Sequence, residues 1–152
     1  MKTLSTHAHA AKLIREDLKK AFPLTKFSVS SRSYSMGSSI DVSWIDGPIS
    51  DKVKEVIGKY QYGYFNGMED IYETTNSIEG LPQVKFVFTN REINESIYAQ
   101  VFEKFKAYYS GWENLKSIDE TSEILLSKWG EWTARNFIQR KLYHLDLTNG
   151  YN

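Results

Sequence analysis

The chain has 152 residues, and its 19 Lys and Arg balance 19 Asp and Glu, so the formal charge is zero. It holds no cysteine, which excludes disulfides, thiolate catalysis, iron–sulfur clusters and zinc ribbons. That length fits one domain with a real core, and the neutral balance lacks the global basic signature of a phosphate-neutralising protein.

The first predicted element is a helix from about Thr6 to Ala21. Ala10, Leu13, Ile14, Leu18, Ala21 and Phe22 follow helical spacing, with one polar interruption at Asp17. Ser5 or Thr6 suits the N-cap, Lys19 and Lys20 fall where cations complement the helix dipole, and Pro23 stops the helix. Two strands follow, Lys26 to Tyr34 and Ser39 to Trp44, joined through Met36, Gly37 and Ser38 as a hairpin. Phe27 and Val29 alternate with serines, and Ile40, Val42 and Trp44 alternate with Asp41 and Ser43, so one face of the sheet is wet.

Asp46-Gly47-Pro48 is a turn. Ser50 or Asp51 is then expected to cap a second helix with Val53, Val56, Ile57 and Tyr60 as its stripe. Tyr62 to Phe65 reads as extended chain, Asn66-Gly67 as a tight turn and Thr74 to Gly80 as a polar loop. A third strand is expected over Gln83 to Thr89, with Val84, Phe86 and Phe88 on the buried face and Pro82 at its entrance. Asn94 caps a helix to about Tyr109 whose apolar face is wide, and Gly111 breaks it. A last helix is expected from Asp119 or Thr121 to about Leu142, carrying Ile124, Leu125, Trp129, Trp132, Asn136 and Phe137, before a loose tail from Leu145.

The order helix, strand, strand, helix, strand, helix, helix predicts an α+β fold: a small antiparallel sheet of about three strands covered on one face by helices. The whole chain reads as one domain, with a helical C-terminal part over 93–144. The start of the chain has no apolar run of signal-peptide type, and its apolar runs fall far short of the ~20 residues that cross a bilayer. A cytoplasmic protein without membrane contact is the expectation. Four Trp, ten Tyr and eight Phe supply either a core of large side chains or an exposed recognition surface, and the core is the simpler reading.

No chemistry-bearing motif emerges. His7 and His9 sit two apart, which on a helix turns them about 200° away from each other, whereas ligands sharing a face need three or four. Seven serines between Ser28 and Ser39 suit a hairpin's polar face, and none stands in a Gly-x-Ser-x-Gly elbow. Asp41, Asp46, Glu69 and Asp70 lie near strand ends or turns, where turn chemistry accounts for Asp46. No glycine-rich phosphate loop is present. No catalytic residue, metal ligand or cofactor is assigned. For nucleic acid the candidates are Lys19, Lys20, Lys26 and Arg32, with a second cluster at Arg135, Arg140 and Lys141; Tyr34, Trp44, Trp129 and Trp132 could stack on bases.

The run from Lys26 to Trp44, leading into Asp46-Gly47-Pro48, is long and ordered. Gly63, Phe65, Asn66-Gly67-Met68, Asp70 and Tyr72 continue it, and Ala11-Lys12 through Leu18-Lys19-Lys20-Ala21-Phe22-Pro23 precede it. Together, over roughly residues 8–72, they resemble the large polyvalent protein-associated domain 29. Such domains occur in very large proteins of phages and conjugative elements that enter the host with the DNA and shield it, and also as small separate proteins. The resemblance implies no reaction. Asn66 departs from it, standing where an Asp often precedes Gly-Met, which argues against an acidic catalytic role there.

The sequence therefore predicts a phage or mobile-element accessory protein that binds a host or phage protein, with counter-defence as its purpose. The predicted contact residues are Arg32, Tyr34, Asp41, Ser43, Tyr64 and Asp70, because charged and aromatic groups on a rigid sheet suit protein recognition. Nucleic-acid binding is the first alternative and an enzyme the second. A homodimer through the aromatic C-terminal helices is a further expectation.

Overall fold

A computed structural model describes residues 5–120 and 133–151. The chain divides into two compact units, Met1–Glu92 and Ile93–Asn152.

The first unit runs α1 (Thr6–Ala21), β1 (Ser28–Tyr34), β2 (Gly37–Ile45), α2 (Ser50–Ile57), a 3-10 turn (Gly58–Tyr60), β3 (Gly63–Asn66), β4 (Ile71–Thr74) and β5 (Phe86–Glu92). α1 forms as its spacing predicts, with Ala10, Ala11, Ile14 and Leu18 buried. Asp17, the polar interruption in that stripe, is used by the fold. It accepts a 2.5 Å hydrogen bond from the Tyr60 hydroxyl and pairs with Lys59 at 3.4 Å. Burial first, and the Asp17 carboxylate second, hold the Tyr60 hydroxyl firmly protonated. Ser5 is the N-cap residue but makes no side-chain cap bond, and Ile49 rather than Ser50 or Asp51 stands at the N-cap of α2.

β1 and β2 are the expected antiparallel pair, with Val29 opposite Val42 and Ser30 opposite Asp41. β5 joins the other edge of β2 in parallel, Val42 opposite Thr89 and Asp41 opposite Phe88. The fold is α+β as expected, with the sheet mixed rather than wholly antiparallel. The physical reason lies in the connection: α2 and the chain after it are long enough to carry β5 back to the same end of the sheet, as a tight hairpin never could. Within that connection β3 and β4 pair as a separate antiparallel hairpin, where the sequence predicted only extended chain and a turn.

Ile40, Val42 and Trp44 point into the core with Val29, α1, Val53, Ile57, Tyr60 and Val84. Each such side chain contributes about 1.5–3 kcal/mol by leaving water. The third strand is corrected. It spans Phe86–Glu92 instead of Gln83–Thr89, and Phe86 and Phe88 face away from that core. Val84 is buried in an isolated bridge to Gln61, and the chain bends at Lys85 before the strand begins. The bend breaks the alternation, so Val87 packs against the core and the two phenylalanines turn outward.

The second unit pairs α3 (Glu95–Tyr108) with α4 (Ala134–Tyr143). Asn94 caps α3 as predicted, accepting from the Ser96 N–H at 2.9 Å. Asp119 does not begin the last helix. It lies in a turn, and α4 starts after Thr133, whose capping box with Asn136 closes both backbone donors. A start at Thr121, and Ile124, Leu125, Trp129 and Trp132, lie outside the described residues. Phe102, Trp112, Leu115, Phe137, Ile138 and Leu142 are core. The tail is not loose: Leu147 is buried, Tyr151 packs on the same core, and Asp146 accepts from the Thr148 N–H at 2.8 Å.

Candidate binding site

Strand alternation that sends Ile40, Val42 and Trp44 into the core places Ser39, Asp41 and Ser43 on the opposite face, where Ser39 is nonetheless buried. Through the strand registers they share the outer face with Ser30, Arg32 and Tyr34 of β1 and with Phe86, Phe88 and Asn90 of β5. Four predicted contact residues, Arg32, Tyr34, Asp41 and Ser43, are thus brought together. Arg32 donates to Asp41 across the strands at 3.1 Å. Arg32 is largely and Asp41 partly in water, so this pair contributes about 0–1 kcal/mol to stability and leaves Arg32 donors for a partner.

The sequence missed what lies beside that pair. Phe88 is 49% exposed and stacks on Phe86 at 5.5 Å. Phe86 meets the edge of Tyr72 at 5.3 Å, and Tyr72 meets Tyr62 at 5.8 Å. Lys85 holds its ammonium 5.1 Å from the Tyr72 ring. Tyr72 is fixed by donating its hydroxyl to the Lys85 carbonyl at 2.6 Å, and burial, with Tyr62 next to it, pushes its pKa up to about 12. An aromatic ladder therefore runs from the β3–β4 hairpin onto the open face of the sheet. Phe86-Val87-Phe88 carried the signal in the sequence, but period-2 alternation marks a shared face without saying which face it is.

Tyr64 and Asp70, the other predicted contacts, are on that hairpin. Tyr64 donates to Glu73 at 2.6 Å, and Asn66 donates to the same carboxylate at 3.2 Å. The Tyr64 bond first and the Asn66 bond second hold the Glu73 carboxyl below its ordinary range, while the Glu73 bond raises the Tyr64 hydroxyl. Asp70 takes a left-handed backbone, φ 55°, at the turn into β4. Asn66 caps that turn, accepting from the Met68 N–H at 3.0 Å. Phe65, Met68 and Ile71 stand exposed around it. Large apolar side chains clustered in water in this way are a common feature of contact surfaces.

The residues proposed for nucleic acid divide. Trp44 is buried and donates to the Pro48 carbonyl at 3.0 Å, so it is no base-stacking platform. Arg135 is committed to Glu95 at 2.7 Å and Asp119 at 2.8 Å; those bonds, Glu95 first, raise its already high pKa. Lys141 lies over the Phe137 ring at 5.4 Å, and Arg140 has a partner too. At the other end of the chain Lys19, Lys20 and Lys26 are exposed, and Lys19 and Lys26 line one groove with Arg15. Among the described residues no three His, Cys, Asp or Glu side chains gather closely enough to hold a metal ion, and no helix is long and apolar enough to cross a membrane.

The hairpin, turn and aromatic residues on this face sit inside a match to the large polyvalent protein associated domain 29 that covers residues 5–110. The chain belongs to that family. The match runs from the start of α1, through the rest of the first unit, and past the end of α3, well beyond residues 8–72. Membership in the domain 29 family associates the protein with phages or other mobile elements. No curated protein and no solved structure matches the chain.

Proposed function

We propose that this domain 29 protein works by binding, and that its ligand is a host or phage protein docked on the outer face of the β1–β2–β5 sheet and the adjoining hairpin. One observation carries the reading. The face that no helix of the first unit covers presents half-exposed Phe88 and Tyr34 around the Arg32–Asp41 pair, which is the mixture of aromatic anchors and polar groups typical of an interface centre. A mobile-element protein with such a face, acting in the host cytoplasm, suits capture of a host defence component.

Affinity capture from host lysate tests this, with wild-type protein beside Phe88→Ser and Asp41→Arg. The expected result is a protein retained by the wild type and lost with both variants, each variant melting as the wild type does. Capture that is indifferent to both substitutions contradicts the proposed face.

A further inference from the structure

Away from that face, the end of α1 and the chain leading into β1 enclose a groove of about 430 Å³ lined by Arg15, Lys19, Pro23, Leu24, Thr25, Lys26 and Phe27. Three of its lining side chains are cations and none is acidic, in a chain whose overall charge is zero. The needs of the helix end explain only part of this. A cation in the last turn complements the dipole, which accounts for Lys19 and for Lys20. It does not account for Lys26, four residues past the helix cap, or for Arg15 a full turn earlier. Arg15 spends one guanidinium nitrogen on the Val29 carbonyl at 2.8 Å, which fixes the side chain and leaves its other donors for a ligand.

Apart from Thr25, the non-cationic part of the wall is apolar: Pro23, Leu24 and Phe27, with Leu24 left 75% exposed. The volume is that of a small-molecule site.

We propose that this groove is a binding site for a phosphorylated ligand of nucleotide size, its phosphates held by Arg15, Lys19 and Lys26 and its flat apolar part resting on Leu24 and Pro23. Arg supplies paired donors to phosphate oxygens and lysine acts as a point charge. The site does not depend on the protein-binding face.

Calorimetric titration of the full chain with ATP, pyrophosphate, adenosine and a single-stranded 12-mer oligonucleotide tests it. ATP and pyrophosphate should saturate one site with affinity that falls as salt rises, and adenosine should bind far more weakly. The Lys19→Glu/Lys26→Glu double variant should lose roughly tenfold or more. Lys20→Glu, the same kind of charge change on an exposed neighbour outside the lining, should lose about twofold at most. The proposal is overturned if neither ATP nor pyrophosphate saturates, if Lys20→Glu costs as much as the double variant, or if only the oligonucleotide binds.

Discussion

Two aromatic groups in this protein have nearly the same ring geometry and opposite fates. In the second unit Phe105, Tyr109, Trp112 and Phe137 meet at 5.2 to 6.0 Å between centroids. In the first unit Tyr62, Tyr72, Phe86 and Phe88 meet at 5.3 to 5.8 Å. Yet Trp112 and Phe137 are 2% and 4% exposed, while Phe88 is 49% exposed. Ring contacts alone therefore do not make a core. In the second unit the loop after α3 folds Trp112 and Leu115 into the α3–α4 seam. In the first unit both helices go to the inner face of the sheet, and the ladder runs from half-buried Tyr62, Tyr72 and Phe86 out to exposed Phe88. The aromatic wealth of the chain is spent in two ways, on holding one unit together and on furnishing the surface of the other.

The largest expected effect comes from breaking the closed group. Phe137→Ala removes the ring that Phe105, Tyr109 and Trp112 all contact. It should cost about 3–5 kcal/mol in a urea melt, the usual range for a buried phenylalanine. A smaller loss would mean that the second unit's rings are no more structural than the ladder.

Gly63→Ala comes next, and it strikes the support of the ladder rather than its rings. A Cβ on Gly63 would collide with the Glu73 carbonyl and with the Tyr72 ring, 2.6 Å away. Overpacking of that kind costs about 1–3 kcal/mol. The β3–β4 hairpin should open, seen as faster amide exchange at Phe65 and Tyr72 with α1 unaffected.

The smallest effect sharpens the account of the hairpin's outer side. The Glu73 carboxyl lies below its ordinary range because the bonds from Tyr64 and Asn66 favour its charged form. Its contribution to stability is therefore complete above the ordinary glutamate pKa and is lost as pH falls through the lower folded-state value. Tyr64→Phe should move the Glu73 titration up toward the ordinary value, read by NMR on its carboxyl carbon, and should shift the hairpin's acid melting to higher pH. An unmoved Glu73 would show that the Tyr64 bond is not formed in solution.

Much of the fold was legible because its determinants are local. The α1 stripe, the Ile40, Val42 and Trp44 alternation, the Asn94 cap and the stop at Pro23 each depend on a few neighbouring residues. The side of the sheet that carries Arg32, Tyr34, Asp41 and Ser43 was legible for the same reason, since the alternation of the hairpin fixes it. The outward turn of Phe86 and Phe88 was not. It depends on a bend at Lys85 and on Val84 being used by Gln61 and Tyr60, partners more than twenty residues away. Parallel pairing of β5 was hidden likewise, because strand direction is set by the path of the connection. The engagement of Arg135 required Glu95, forty residues earlier, and no local pattern announces that. The groove at Arg15, Lys19 and Lys26 was half visible as a run of basic residues, and only the fold brings Arg15 to it.

The central claim is that the outer-face rings are not needed to hold the fold. Equilibrium urea unfolding of Phe88→Ser tests it most directly. The account predicts a loss of about 1 kcal/mol or less, as for a half-exposed side chain away from a core, with the slope of the transition unchanged. A loss of about 3 kcal/mol or more, in the range expected for Phe137→Ala, would contradict it and make the ladder a second core.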